Sequence, residues 1–577
     1  QAFHSVPQSI ALSVPIQCLL VSASAMPSAR AAVLLLAALP RASGSAFLAA
    51  DGHRLVESAD LLSELGRVAG LDHRASVEKR VNFLEDVLRP TFRSLPQAEG
   101  QRIPADAVRY LLHRLFVERH GWSVRGLDGR GEAWNSSSAA DVFKDHSAGV
   151  HGLFSQRLGA GSGGFTLHEV AVLGATLEAF VHEETVDRLR AAYRLAGLAE
   201  DDASATDEQV QQVIDKYLVM FVLGVNHTSA TPQDMAAREA IIGDVHPMWQ
   251  ETSAWAKQVR AEVLSQSGLP EPPAAFGTTT RVMEEVAERY GRWQDRECRE
   301  LKSSLMRLER GGSGRVPLDA FYGSALQGNW QFSESRAYLQ ELGALDDSDP
   351  SRPSVIIPNY VNSPSNCVAS SKFYSVCCID ECEVLLGHLE RQVAAPSAPP
   401  ARIAELVAQL PSSTVGAPRA LPGALVGRLE EIAVHHGGQV PFHGRLFAQW
   451  LHHAYPRECP YPHVAGASRP RTAEQWAAEG RGSAEAGEEA MRRHVAEAAT
   501  AGNATAEAAI PWSMDEELFV HHMEAPSPRV GCYRIGVLAG LVAAASMAVS
   551  LLGEASKAVG AATGARGAKD GLKEHLV

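Results

Sequence analysis

The sequence predicts a mainly α, multi-domain body followed by one C-terminal membrane-spanning helix. Three observations carry that expectation. Apolar residues recur at helical spacing through most of the chain, while Val/Ile runs alternating with turn residues are few. A pattern of glycine, one extended apolar residue, a helix-starting residue and an apolar helix occurs at Gly100, Gly163, Gly314 and Gly437. Residues 535–553 carry no charge, and nineteen such residues suffice to cross a bilayer as a helix.

The chain has 577 residues and a formal net charge of −14. That length exceeds one core and implies several domains. An acidic chain without a basic stripe argues against a nucleic-acid partner. Residues 1–25 read as upstream sequence and 26–46, beginning at Met26, as a secretory signal. Arg30 precedes the apolar run 31–39, and Gly44 and Ala46 sit at the −3 and −1 positions of a cleavage before Phe47.

Residues 47–240 read as a helical domain. Val77, Val81, Leu84 and Leu88 line one helix face, and Val108, Leu111, Leu112, Leu115 and Phe116 line the next. Residues 121–140 are a Gly- and Ser-rich loop. Helices follow over 170–181 and 186–195, and Thr206 with Gln209 makes a capping box that starts a helix over 210–223. Residues 241–350 hold a charged helix over 279–310, suited to a surface or bridging position, and the third copy of the glycine pattern. Residues 351–393 are Cys-rich, and 394–401 (AAPSAPPA) read as a Pro-rich hinge. A small helical domain spans 402–463 around the fourth copy. Pro441 there suits a helix start, because its missing N–H has no intrahelical partner. Residues 464–510 contain almost no bulky apolar residue, so 464–530 read as a linker. The span 535–553 and a basic-leaning cytoplasmic tail, 554–577, complete a type I topology. Gly536 and Gly540 form a GxxxG that would let two spans pack as a homodimer.

Phe165 with Glu169 four residues later, and Thr206 with Gln209, give residues 141–225 a resemblance to an EF-hand pair. The resemblance implies calcium only where loop positions 1, 3, 5 and 12 supply oxygen ligands. Placing Glu169 at position 12 puts Leu158, Ala160 and Ser162 at the first three. Placing Gln209 there puts Leu198, Glu200 and Asp202 at them, so Glu200 and Asp202 are the calcium candidates in a weak loop. Val316 and Val440 fit the apolar loop position, with Ala320 and Gly444 where the glutamate belongs. The expected scaffold is therefore EF-like and structural. Residues 310–465, which include PSNCVASSKFYSVCCIDECEVLLGHLE and VPFHGRLFAQWLHHAYPRECPYPH, resemble a module of signal-bearing proteins of single-celled algae. That resemblance implies a module and no activity.

Six cysteines lie in the body: Cys298, Cys367, Cys377, Cys378, Cys382 and Cys459. An even number behind a signal peptide points to disulfides, whose connectivity the sequence leaves open. Zinc is the second reading of this cluster and a catalytic thiol the third. Sequons at Asn135, Asn226 and Asn503 suit a luminal body. His443 and His452 are nine residues apart, about 13 Å along a helix, too far to share one ion. A zinc site would instead join His452 or His453 to Cys459 and His463. Gly159-x-Gly161-x-x-Gly164 has no strand before it and reads as a turn. The sequence contains no P-loop, GxSxG, HExxH or kinase set. No cofactor is expected beyond the calcium or zinc named above. The expected function is that of a single-pass type I membrane glycoprotein in the secretory pathway or at the cell surface. Its helical, disulfide-braced body would serve interaction or structure with a protein partner. A metal-binding luminal protein and an enzyme with an unrecognised site are the alternatives.

Overall fold

The computed structural model describes residues 74–519, apart from 99, 126, 128–163, 202–204, 267–274, 329–330, 369–370, 372–373 and 501–510. The expected signal peptide, membrane span, Gly536, Gly540, Asp202, Asn135 and Asn503 lie outside these residues. No helix among the described residues is long and apolar enough to cross a membrane. The described chain is mainly helical, as expected, and its helices serve three apolar cores.

The first core is built by α1 (Arg74–Ser94), α2 (Ala105–His120), α3 (Leu167–Ala196), α4 (Asp207–Val222), α5 (Pro232–Val245), α6 (Trp249–Ser265) and the first half of α7 (Phe276–Leu308). Strand β1 (Trp122–Val124) follows α2. Val77, Val81, Leu84 and Leu88 are buried as their spacing predicts, and so are Val108, Leu111, Leu112, Leu115 and Phe116. Capping boxes start α3 at Thr166 and α4 at Thr206, each satisfying backbone N–H groups that the helix itself leaves unpaired.

Helix α7 bridges two cores. Val282, Val286 and Tyr290 belong to the first, and Cys298, Leu301 and Leu305 to the second. Between them, Gly291 lets the helix pass against the end of α2. A Cβ at Gly291 would lie 1.8 Å from the carbonyl oxygen of His120. Gly291→Ala is therefore expected to cost about 3 kcal/mol or more, since backbone must move to admit one methyl group. A fall in the urea midpoint checks this, and an unchanged midpoint would refute the close approach.

The second core contains β2 (Arg315–Pro317), α8 (Leu318–Leu326), α9 (Arg336–Glu341), β3 (Leu345–Asp346), β4 (Ser354–Ile356) and α10 (Ile357–Val361). Its small sheet is antiparallel, with β4 between β2 and β3. Strand β5 (Tyr374–Val376) then pairs with β1, Trp122 opposite Val376. The third core follows, from α11 (Glu381–Val393), β6 (Ser397–Ala398), α12 (Pro400–Gln409), α13 (Gly423–His435), β7 (Val440–Pro441) and α14 (Arg445–Ala454).

Two expectations about organisation need correction. Residues 394–401 are not a hinge: Ala398 pairs with Val440, and Pro400 opens α12. Residues 464–510 are not a coreless linker. Helices α15 (Ala473–Ala478) and α16 (Glu488–Thr500) return to the second core and bury Trp476 and Met491 there. Two well-placed apolar side chains suffice where most of the packing surface already exists.

The glycine pattern turns out to be part of a paired arrangement. Ile103 bridges Phe165, Val316 pairs with Val355, and Ala398 pairs with Val440, all antiparallel. In most of these loops a helix begins two residues after the bridging residue, at Ala105, Leu167, Leu318, Ile357 and Pro400. Phe165 thus takes its partner from the Ile103 loop. Among the described residues no bridge joins it to the loop before α4.

Residues 511–519 cross the third core as a strap. Glu516 accepts from the backbone N–H of Leu446 (3.1 Å) at the start of α14. Arg445 reaches Ser513 Oγ (2.6 Å), and its N–H donates to the carbonyl of Glu517 (2.9 Å). The N–H of Phe519 donates to the carbonyl of His443 (2.9 Å).

Candidate functional site: disulfides, buried charges and an acidic cleft

The six body cysteines form three disulfides: Cys298–Cys378, Cys367–Cys377 and Cys382–Cys459. Neighbours Cys377 and Cys378 face different ways. One closes the small loop that ends in β5, and the other fastens α7. The third bond ties the start of α11 to the chain after α14. Disulfides of this kind are compatible with an oxidising secretory or extracellular compartment.

Cys459 is bonded to Cys382, so it offers no thiolate to a metal. His452 is fully buried and engaged on both nitrogens. Arg315 can only donate, so Nε2 accepts from it (3.1 Å), and Nδ1 donates to the carbonyl of Cys459 (2.6 Å). His463 Nε2 donates to the carbonyl of Gly343 (2.7 Å). His453 lies beside Trp512 with ring centres 5.3 Å apart. The described residues hold no group of three or more His, Cys, Asp or Glu side chains placed for a metal ion. Glu200 is exposed and lies 3.6 Å from Arg190.

Burial, reinforced by the Arg315 cation, pushes His452 down to about 3, and burial lowers His453 to about 4. In the unfolded chain a histidine takes its proton near pH 6.5. Acid therefore favours the unfolded chain as pH falls from about 6.5 towards 3. For His452 the loss reaches about 2 kcal/mol by pH 5. Urea midpoints taken across this range should fall, and His452→Gln should fall less steeply. Equal slopes would refute the assignment.

Glu169, the residue aligned with the last calcium-ligand position, is engaged by other groups. Glu169 accepts from Thr166 N–H (2.8 Å) and from Arg102 (2.9 Å), whose guanidinium also donates to the carbonyl of Gly164 (2.6 Å). In the next pair Arg315 is held by Asp346 at 2.6 Å.

A buried charge network joins the first and third cores. Glu390 on α11 accepts from Arg114 of α2 (2.5 Å), from His443 Nε2 (2.8 Å) and from Thr91 of α1 (3.1 Å). Arg114 also pairs with Glu383. Burial alone would raise the Glu390 carboxyl, but Arg114 and His443 overturn that and hold it at about 2.

Beside this network opens a cleft of about 1840 Å³. Its lining is drawn from α2, α3, the turn at 222–228 and the 359–378 segment, with residues 470–475 and 484–485 at the far end. Nine carboxylates and three arginines line it among the described residues, so its field is negative. Arg188 is committed to Glu184 (2.6 Å), and Arg114 to Glu383 and Glu390. Cys367–Cys377 forms part of the wall. Asn226 stands exposed at the rim, its Oδ1 accepting from Thr228 Oγ1 (2.8 Å).

At the far end Glu334 Oε1 accepts from Tyr360 (2.6 Å), while Oε2 is enclosed with no hydrogen-bond partner. Burial raises the Glu334 carboxyl, and nearby Glu485 adds to the rise. Sequence reasoning missed Arg114, Glu390 and Glu334. The available signal was a charged residue standing within an otherwise apolar stripe, as Arg114 does between Leu111 and Leu115.

The chain matches no protein-family model, no curated protein and no solved structure.

Proposed function

We propose that this chain is the luminal or extracellular body of a single-pass type I membrane glycoprotein, and that it acts by binding a protein partner. The observation that carries this reading is the set of three disulfides bracing a helical body around a large acidic cleft. Disulfides at these positions persist only where thiols are kept oxidised. The scaffold is EF-like. Three antiparallel pairings between loops, each with a bridging residue just before a helix, support that description. Arginines in the loops support a scaffold that works without calcium. The cleft, in this reading, is the binding surface, and residues 535–553 hold it at the membrane.

Expression of the full chain in a secretory host tests the topology. The expected product resists alkaline extraction from membranes, shifts in mass on glycosidase treatment, and loses part of that shift in Asn226→Gln. Release by alkali with no glycan would sink the reading.

A further inference from the structure

We propose that the far end of the cleft, at Glu334, is a subsite for the ammonium or guanidinium group of a basic peptide; this rests on the cleft being the binding surface. The argument begins with an incomplete set of partners. Glu334 has one hydrogen bond, from Tyr360, and its second oxygen is enclosed without a partner. Among the described residues no cation pairs with it, and the neighbouring charge across the 334–485 bridge is another carboxylate, Glu485. An enclosed carboxylate oxygen facing a second carboxylate is costly, and one bound cation relieves both groups.

The surroundings select the kind of cation. A hard divalent ion takes six to eight oxygen ligands, and no three-ligand set exists among the described residues. An organic cation needs less: a carboxylate or two. Tyr338 and Tyr360 are buried against Trp476 and Phe321, so Glu334 and Glu485 carry the recognition, and Tyr322 fixes the backbone by donating to the carbonyl of Glu334 (3.1 Å). Arg114 and Arg188 do not compete, because they already hold carboxylates. A peptide fits better than a small amine. The volume of about 1840 Å³ exceeds that of ordinary small-ligand pockets. The negative lining also continues to Glu183 on α3, so a basic side chain at Glu334 would be followed by others along the cleft.

The test uses the full chain in detergent and a fluorescein-labelled hexa-arginine peptide, read by anisotropy at about physiological salt. Hexa-citrulline, equal in shape and uncharged, is the control. Saturable binding of hexa-arginine alone is expected, weakened about tenfold or more by Glu334→Gln. That substitution keeps an acceptor for Tyr360, and Glu485→Gln serves as a second variant, with a severalfold loss expected. Glu183→Gln, at the other end, should change affinity less than about threefold, as a single exposed charge does. The subsite is overturned if the wild-type chain does not bind, if Glu334→Gln and Glu485→Gln both bind as tightly as wild type, or if Glu183→Gln loses as much as Glu334→Gln. The last result would mean a diffuse acidic field. Membrane extraction and glycan shift are read without the peptide. A chain that passes those and fails to bind loses the subsite alone, and a chain that binds yet fails them loses the topology alone.

Discussion

Glu390→Ala is expected to destabilise the protein by about 3–5 kcal/mol, one of the largest effects available from a single side chain. Glu390 is fully buried and accepts from Arg114, His443 and Thr91. Its removal leaves the buried Arg114 guanidinium with Glu383 as its remaining carboxylate. The size of the effect comes from the stranded charge more than from the lost attraction. A double variant, Arg114→Met with Glu390→Leu, should therefore recover most of the loss, because it removes the two fully buried charges, keeps the volume and leaves only the partly exposed Glu383. Urea unfolding of the two variants decides the matter. If the double variant is as unstable as Glu390→Ala, the cost belongs to packing and not to charge. The same carboxylate sets an acid limit. Its folded value of about 2 lies below the ordinary glutamate value of about 4.3. Its contribution is thus fully present above about pH 5 and is lost as pH falls towards 2.

Loss of Cys298–Cys378 ranks with it. The bond closes a loop of 80 residues, and Cys382–Cys459 closes one of 77. The chain-entropy relation gives about 4.5 kcal/mol for loops of this length. For the 10-residue loop of Cys367–Cys377 it gives about 2.7 kcal/mol. Paired Cys→Ala substitutions should therefore rank with the first two clearly below the third in urea midpoint. A flat ranking would mean that the constraints overlap and that chain entropy does not govern them. The Cys298–Cys378 bond also fixes α7 to the segment after β5, so its loss should loosen the cleft wall as well as lower the midpoint.

Periodic features were readable from the sequence. The stripes of α1 and α2 and the capping box of α4 follow from apolar spacing and cap residues, which act over a few neighbours, whereas the charge of α7 left a surface and a bridging position both open. The four glycine-led loops were readable because glycine marks the turn. Their two partners were hidden, since the loops before Ile357 and Pro400 have no such glycine and read as the start of a Cys-rich segment and as a hinge. The cleft was beyond reach for a different reason. Glu334, Tyr360 and Glu485 stand far apart in sequence, and only tertiary packing gathers them. Likewise the partner of Arg114 lies 276 residues away, so its local pattern says only that a charge interrupts an apolar face. The cysteines were legible as bridge-formers but not as pairs, because connectivity depends on which helices meet.

The strap over the third core has a mechanical consequence. Gly444 and Leu518 are joined in antiparallel register, and Arg445, Leu446 and the His443 carbonyl hold the same short segment. A pull on the chain beyond Phe519, directed along the strap, strains these bonds side by side. They yield together and not one after another, as the teeth of a zipper would. Tension arriving from that end is therefore delivered first to the start of α14, in the third core.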